Sequence, residues 1–459
     1  MLKSYHQHPS SYRDPSGFIF EKETVLYRQV NKNFKEDFDF FTSSGCYDNL
    51  VKKGLLIPHE IINENLTGND DYYKTLRPEA VPFISYPYEW SFDMLKDAAL
   101  LTLQLLKEAV SYGLILKDAT PYNIQWHKGK LIFIDSLSFE KYNEKEPWIA
   151  YRQFCECFLS PLLLMHYSKE PLQQLQLAYP EGIPLSVTKS LLPRRSRFSL
   201  YTYLHIHLHA KVSAKNKTNS SKTAVFSKQK LLNLISSLES LVSTLKLAGE
   251  KSTWSEYYDE AAQRDNYLEP KKQLISEWAR SLSLIKTAID VGANDGVFSK
   301  LLSELNIYTI ATDFDPICIN NLYREIKETN KQNLQPLIID LSNPSPAIGV
   351  NNTERQSFIS RTKVDLVLAL AVIHHLAIGK NIPLDKIASL LYQSGNYLII
   401  EFVPKEDEKV QLMLKSKKDI YTHYTEQAFE SAFANYFTIQ HKQKVGSSRR
   451  TLYLMKRNG

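Results

Sequence analysis

Ala288-Ile289-Asp290-Val291-Gly292-Ala293-Asn294-Asp295-Gly296-Val297-Phe298-Ser299 is the stretch on which the reading of this 459-residue chain turns. An apolar run ends in an acid, a tight turn carries two glycines, and a helical pattern follows. That order is how an α/β sheet brings its backbone close to a nucleoside cofactor. Gly292 allows the turn with no Cβ in the way, and Gly296 lets the next helix pack tightly on the strand. A dinucleotide fingerprint requires G-x-G-x-x-G. Position 294 is Asn and position 297 is Val, which argues against that class. Asn is the next most tolerant residue of positive φ after glycine.

Outward from the turn, the C-terminal half alternates strand and helix as a parallel sheet requires. Strand patterns cover 287–291, 308–311, 337–339, 364–370 and 397–402, with helical patterns at 297–304, 317–328 and 384–393. Segments 436–443 and 450–455 flank Val445-Gly446-Ser447-Ser448 and read as a hairpin. The fold class expected is α/β: a Rossmann-like parallel five-strand core closed by an antiparallel pair.

The order Asp290-x-Gly292-x-Asn294-x-Gly296 resembles motif I of the class I S-adenosylmethionine (SAM) dependent methyltransferases, with Asn where that family usually has a third glycine. The whole span from about 254 to 459 is similar to a group of nodulation-type methyltransferases. The supporting residues are Glu401-Phe402-Val403-Pro404-Lys405-Glu406-Asp407, Tyr421-Thr422-His423-Tyr424-Thr425 and Arg450-Thr451-Leu452-Tyr453-Leu454. An adenosine cofactor needs a carboxylate at the tip of the second strand, and Asp313, beside Phe314, falls about twenty residues beyond the turn. Asp315 is a nearby rival. The resemblance implies that Asp340 accepts from the adenine amino group and that the amide of Leu341 reads the ring. It also implies that Asp290, with the turn Gly292, Ala293, Asn294 and Gly296, orients the methionine end, and that Ala369 to Ala371 line that side. If the acceptor is a hydroxyl or amine, a base must take its proton. His375 and His374 are the candidates, because histidine titrates near neutrality, and Glu401 is the alternative. His423 and Tyr424 lie on a stretch that would cover the acceptor. No metal is expected in this half.

The first half holds a second constellation. Ser91 caps an expected helix to about 112, with Leu95, Ala99, Leu103, Leu106 and Val110 on one face. Leu114-Ile115-Leu116-Lys117-Asp118-Ala119-Thr120-Pro121-Tyr122-Asn123-Ile124 follows, then a hairpin turning at Lys128-Gly129 and ending at Asp135. Asp118-x4-Asn123 followed by Asp135 resembles the catalytic and metal-binding loops of protein-kinase-like phosphotransferases. That resemblance implies an α+β fold, ATP, a base at Asp118, and Mg²⁺ at Asn123 and Asp135. The departures point to a degenerate copy. The hairpin-like 17–30 stretch contains only Gly17, Lys117 stands where His or Arg usually precedes the Asp, and Arg28 is the one substitute for the phosphate-contacting lysine.

The expected organisation is a kinase-like domain at 1–210, a basic linker and helix at 211–250, and a methyltransferase domain at 251–459. Residues 211–230 are polar and basic and cannot bury enough surface to offset chain ordering. Apolar content of 43% with 23% charged residues is ordinary for globular protein, and a net charge of +6 permits an anionic partner without demanding one. No nucleic-acid motif stands out. The start has no apolar signal region and no segment approaches about eighteen consecutive apolar residues, so a cytoplasmic protein without a membrane span is expected. Four cysteines are too few for a disulfide framework. On a helix only His205 and His209 of the three alternating histidines share a face, so no metal is expected there; Cys155 and Cys157 read as buried thiols rather than metal ligands, and Pro193-Arg194-Arg195-Ser196-Arg197 as a solvated loop. The function expected is methyl transfer to an acceptor that the sequence does not name, with recognition or regulation by the first domain. A bifunctional phosphotransferase and a SAM-binding regulator are the alternatives. The oligomeric state is open.

Overall fold

The computed structural model describes residues 5–168, 170–215, 226–247, 267–415 and 417–459. The chain divides into two compact units, one of residues 1–248 with 347–355, the other of 249–346 with 356–459. Among the described residues no helix is long and apolar enough to cross a membrane.

The first unit opens on a five-stranded antiparallel sheet in the order β1 (His6–Gln7), β2 (Gly17–Lys22), β3 (Val25–Asn31), β5 (Tyr72–Pro78), β4 (His59–Ile62). The β2–β3 hairpin turns on Glu23 and Thr24, both at positive φ, the backbone a two-residue hairpin loop needs. The helix Phe92–Ser111 follows, its first turn capped by Ser91 Oγ accepting from the Met94 amide. Its face of Leu95, Ala99, Leu103, Leu106 and Val110 is buried, as the spacing predicts. Two short antiparallel pairs come next, β6 (Leu114–Leu116) with β9 (Phe139–Lys141) and β7 (Ile124–His127) with β8 (Lys130–Phe133). The result is a sheet followed by a helical region, with the loop carrying Asp118 and Asn123 between the two short pairs.

The helix Lys228–Thr244 packs on Phe92–Ser111, and Lys96 Nζ donates to the carbonyls of Ser243 and Leu245 at 2.9 and 2.8 Å. It belongs to the first unit, where the sequence reading places it in the connection. The aromatic residues Trp254, Tyr257 and Tyr258, just before the second unit's first described helix in sequence, lie outside the described residues. Residues 347–355 also group with the first unit. Glu354, buried, accepts from Tyr12 Oη at 2.8 Å and from Arg13 Nε at 3.0 Å, while Arg355 lies over the Tyr122 ring at 4.4 Å.

The second unit is built on a seven-stranded sheet in the order β12, β11, β10, β13, β14, β16, β15. The strands are β10 (Thr287–Val291), β11 (Tyr308–Asp313), β12 (Leu334–Ile338), β13 (Val364–Ala369), β14 (Gly395–Phe402), β15 (Phe437–Lys444) and β16 (Thr451–Arg457). The first five pair in parallel, and β16 runs antiparallel to β14 and to β15. This is the class I methyltransferase variant of the doubly wound fold. The helices Val297–Glu304, Pro316–Thr329 and Leu384–Ser394 occupy the crossovers that parallel pairing demands. Both faces are covered, so the strands are apolar almost throughout. Ala288, Leu366, Leu368, Ile399, Leu452 and Leu454 pack with Ile275, Phe298 and Leu302 in one core. Strand order reverses direction at β10, which lies between β11 and β13, and ligands bind such sheets beyond the strand ends at that switch point.

Candidate functional site

The turn after β10 has the backbone its sequence announces. Gly292, Asn294 and Gly296 sit at φ +78°, +53° and +76°. The amides of Gly292 and Ala293 donate to the Thr312 carbonyl at 2.8 and 2.9 Å, fixing the loop to the end of β11. A Cβ on Gly296 would lie 2.8 Å from both methyls of Leu322, so glycine is what lets the two crossover helices approach. Asp290 is buried beneath the turn, accepts from Ser299 Oγ at 2.6 Å, and is pushed up to about 6 by burial.

Beyond this turn lies a cavity of about 230 Å³. Gly292, Asn294, Asp313, Phe314, Asp340, Leu341 and Ala371 line it, together with His375. Asp313 accepts from the amides of Asn294 and Asp315, both at 2.9 Å, which anchors its carboxylate at the pocket wall. Burial pushes its carboxyl above the ordinary value, and the amide donors oppose that. The rival Asp315 instead caps the helix Pro316–Thr329, accepting from the amides of Ile317 and Cys318. Asp340 is braced by Ser342, whose amide and hydroxyl donate to one oxygen at 2.8 and 2.6 Å. Phe314 is exposed at the rim. Asp290, Ala293, Gly296 and Ala369 are not on the cavity surface; they shape it from behind.

Leu370 lies in the expected 369–371 lining; sequence reasoning missed Ile339, Val372, Leu376, Gly379 and Lys380. Several follow from one feature, a π-helical turn at His375–Gly379 that leaves no periodic signal. Ala371 was expected to line the pocket but not to adopt its φ of +52°, a strained backbone for a residue with a Cβ. The donor set fits SAM: two braced carboxylates on successive strand ends, an apolar wall, and a glycine where a Cβ would lie 2.3 Å from Val372 Cγ2.

The three base candidates are placed very differently. His375 lines the cavity and is driven down to about 4, mainly by burial and then by Arg450, so it is neutral at physiological pH. His374 is fully buried, its ring 4.2 Å from that of His375, and neither of its ring nitrogens has a hydrogen-bond partner. Glu401 is fully buried away from the cavity lining and engaged on both oxygens. Tyr267 donates to one and Lys271 Nζ lies 2.7 Å from the other. Burial alone would raise its carboxyl, but Lys271 and Arg450 outweigh it and hold Glu401 ionised. Arg450 in turn grips Asp407 through Nε at 2.8 Å and donates to Tyr267 at 3.1 Å. Glu401 is therefore placed to tie the helix Leu268–Ser281 to β14, rather than to reach an acceptor. Tyr424 is buried with its hydroxyl donating to the Val403 carbonyl, and His423 is exposed.

In the first unit, Arg28 Nη1 lies 2.7 Å from Asp135 Oδ1, and the same oxygen accepts from the Leu137 amide. Ser138 Oγ donates to the other oxygen at 2.9 Å and also meets Asn123 Nδ2 at 3.3 Å. Asp118 is pushed up by burial first and by the negative charge of Asp135 second. Lys117 turns instead to Asp14 and to Ser16 Oγ. The kinase-like residues thus converge, but the pair assigned to Mg²⁺ does not fit a cation as arranged: a guanidinium and a hydroxyl already cover Asp135. Among the described residues no cluster of His, Cys, Asp or Glu is arranged to hold a metal. His205 bonds Tyr151 Oη and Ser237 Oγ, His207 bonds Ser196 Oγ, and His209 stacks on Tyr151. Cys155 and Cys157 are buried thiols in a π-helical turn.

No family model matches the chain. It is 34% identical over 458 residues to nodulation protein NoeA of Rhizobium meliloti (strain 1021), a match covering 98% of this chain and 95% of that protein. The chain belongs to the NoeA family. Among solved structures, the bifunctional kinase-methyltransferase WbdD is 20% identical over 47% of this chain and 45% of its own, with a TM-score of 0.31. The N-methyltransferase NodS from Bradyrhizobium japonicum WM9 is 11% identical over 43% of this chain and 99% of its own, at 0.32. Magnesium protoporphyrin IX methyltransferase from Synechocystis PCC 6803, with bound SAH, is 14% identical over 44% and 95%, also at 0.32. In this NoeA-family chain the second unit carries the seven-stranded sheet and the cavity beyond β10.

Proposed function

We infer that this chain transfers a methyl group from SAM to an oxygen or nitrogen nucleophile, and that its first unit recognises the acceptor or regulates the transfer. The observation that carries the reading is the presence of Asp313 and Asp340 in one pocket with Gly292. Asp313 would hold the ribose hydroxyls, Asp340 the adenine amino group, the Leu341 amide the ring, and the backbone at 370–372 the methionine side. When bound, SAM supplies a methyl group already activated on a sulfonium, so the protein contributes positioning and water exclusion. Leu370, Val372 and Leu376 make the wall that excludes water. His375, neutral and at the cavity surface, would take the acceptor's proton. Recognition, rather than ATP- and Mg²⁺-dependent phosphotransfer, suits a first unit whose Asp135 is covered by Arg28.

Calorimetric titration of the full chain with SAM tests the reading. Asp313→Ala removes the acceptor of two backbone amides and of the ribose, and binding is expected to weaken on the order of ten- to a hundredfold. Unchanged affinity in a folded Asp313→Ala protein would overturn the pocket assignment. Formation of S-adenosylhomocysteine with offered hydroxyl or amine acceptors separates an enzyme from a SAM-binding regulator.

A further inference from the structure

Residues 182–238 contain ten Lys and Arg and no Asp or Glu, in a chain whose whole net charge is +6. The rest of the chain is therefore net negative, and the positive charge is gathered in this one stretch. Its helical run from Leu200 to Lys215, part α and part π, is turned the wrong way round for a water-facing helix. Thr202, His205 and His207 point inward and are buried beside Ile206, with the histidines bonded to Tyr151, Ser237 and Ser196. Leu200, Leu204, Leu208 and Val212, four residues apart and so on one face, are exposed. Phe198 beside them is 91% exposed, Leu200 is 66% exposed, and Tyr201 and Tyr203 flank the stripe. Arg194, Arg195, Arg197 and Lys211 surround it, all exposed.

We propose that this face docks on a membrane surface rich in anionic lipid headgroups. An aliphatic stripe with protruding aromatic rings and a cationic border matches the boundary between headgroups and acyl chains. The rings sit at headgroup level, and the arginines meet phosphate. A second copy of the chain is the poorer occupant, because two faces carrying only positive charge repel one another. Nucleic acid would answer the charge but leave Leu200, Leu204, Leu208 and Val212 against a phosphate backbone. The docking is peripheral.

Sedimentation of the full chain with vesicles tests this. Binding is expected to phosphatidylglycerol–phosphatidylcholine vesicles, weakened by added salt, and not to phosphatidylcholine alone. Each cation near an anionic surface contributes about fivefold to partitioning, so Arg194→Ser, Arg195→Ser and Arg197→Ser together should lower it on the order of a hundredfold. Phe198→Ser with Leu200→Ser, both on the exposed face, should lower it roughly tenfold or more while circular dichroism and SAM binding stay unchanged. Equal binding to both vesicle types, or vesicle binding that neither set of variants weakens, would overturn the proposal. So would a dimer, or retention of single-stranded RNA, that Phe198→Ser abolishes while vesicle binding persists.

Discussion

Arg28 on β3 lies against Asp135, with Nη1 and Oδ1 2.7 Å apart and both side chains largely buried. Kinase resemblance gives the first of these positions to a phosphate contact and the second to a metal ligand; here they neutralise each other. Mg²⁺ could reach Asp135 only by displacing a guanidinium at hydrogen-bond distance. Titration of the chain with MgATP is expected to give no Mg²⁺-dependent binding. Arg28→Ala should instead destabilise the first unit by roughly 1.5–3 kcal/mol, the scale of a hydrogen bond to a charged group, measured by chemical denaturation. MgATP binding that Asp135→Asn abolishes would assign a working phosphate site and refute the degenerate reading.

Val372 closes on Gly292 at the wall of the cofactor pocket. A Cβ at position 292 would stand 2.3 Å from Val372 Cγ2, on a backbone at φ +78° that already disfavours side chains. Gly292→Ala is therefore expected to weaken SAM binding roughly tenfold or more, since left-handed strain alone is about 1–2 kcal/mol. Adding Val372→Ala removes the collision but not the backbone strain, so calorimetry should show partial recovery. Full recovery would mean that strain at 292 is unimportant.

The sheet was legible because its signals are local. Residues 287–291 and 297–304 are the observed strand and helix, fixed by an apolar run, a glycine turn and a 3.6-residue period. β12 starts at Leu334, earlier than the 337–339 expected, because Pro336 reads as a strand breaker; an edge strand tolerates it. Asp313 was readable from its spacing to the turn, and Asp340 from its place at a strand end together with the family resemblance. Glu401 was not, since its environment is set by Lys271, 130 residues earlier in the chain, and by Arg450. Nothing periodic marks the π-helical turn at His375–Gly379, or shows that 347–355 joins the first unit.

His375 titrates far from its ordinary position. Burial, aided by Arg450, lowers it from 6.5 to about 4. The folded state thus favours the neutral ring, and unfolding takes up a proton below pH 6.5. Its stabilising contribution is complete above pH 6.5 and is lost as pH falls through about 4. The His375 resonance followed by NMR should move near pH 4, and SAM affinity should show no step near 6.5. His375→Gln should flatten the acid dependence of stability. A midpoint near 6.5 would place the ring in water and remove it from the pocket wall.

Lys271 and Glu401 form an ion pair that water barely reaches, with 2.7 Å between Nζ and Oε2. Removing one partner strands the other charge in the core, which costs about 3–5 kcal/mol in comparable buried pairs. Glu401→Gln and Lys271→Met are each expected to lower the stability of the second unit on that scale. The double variant should lose clearly less than the two single losses added, because neither charge is then left alone. Chemical denaturation of the four proteins measures this coupling. If Glu401→Gln unfolds at the wild-type denaturant concentration yet abolishes methyl transfer, the carboxylate acts on the acceptor after all. If it is destabilised and couples to Lys271, Glu401 holds the helix Leu268–Ser281 on the sheet, and the proton is left to His375.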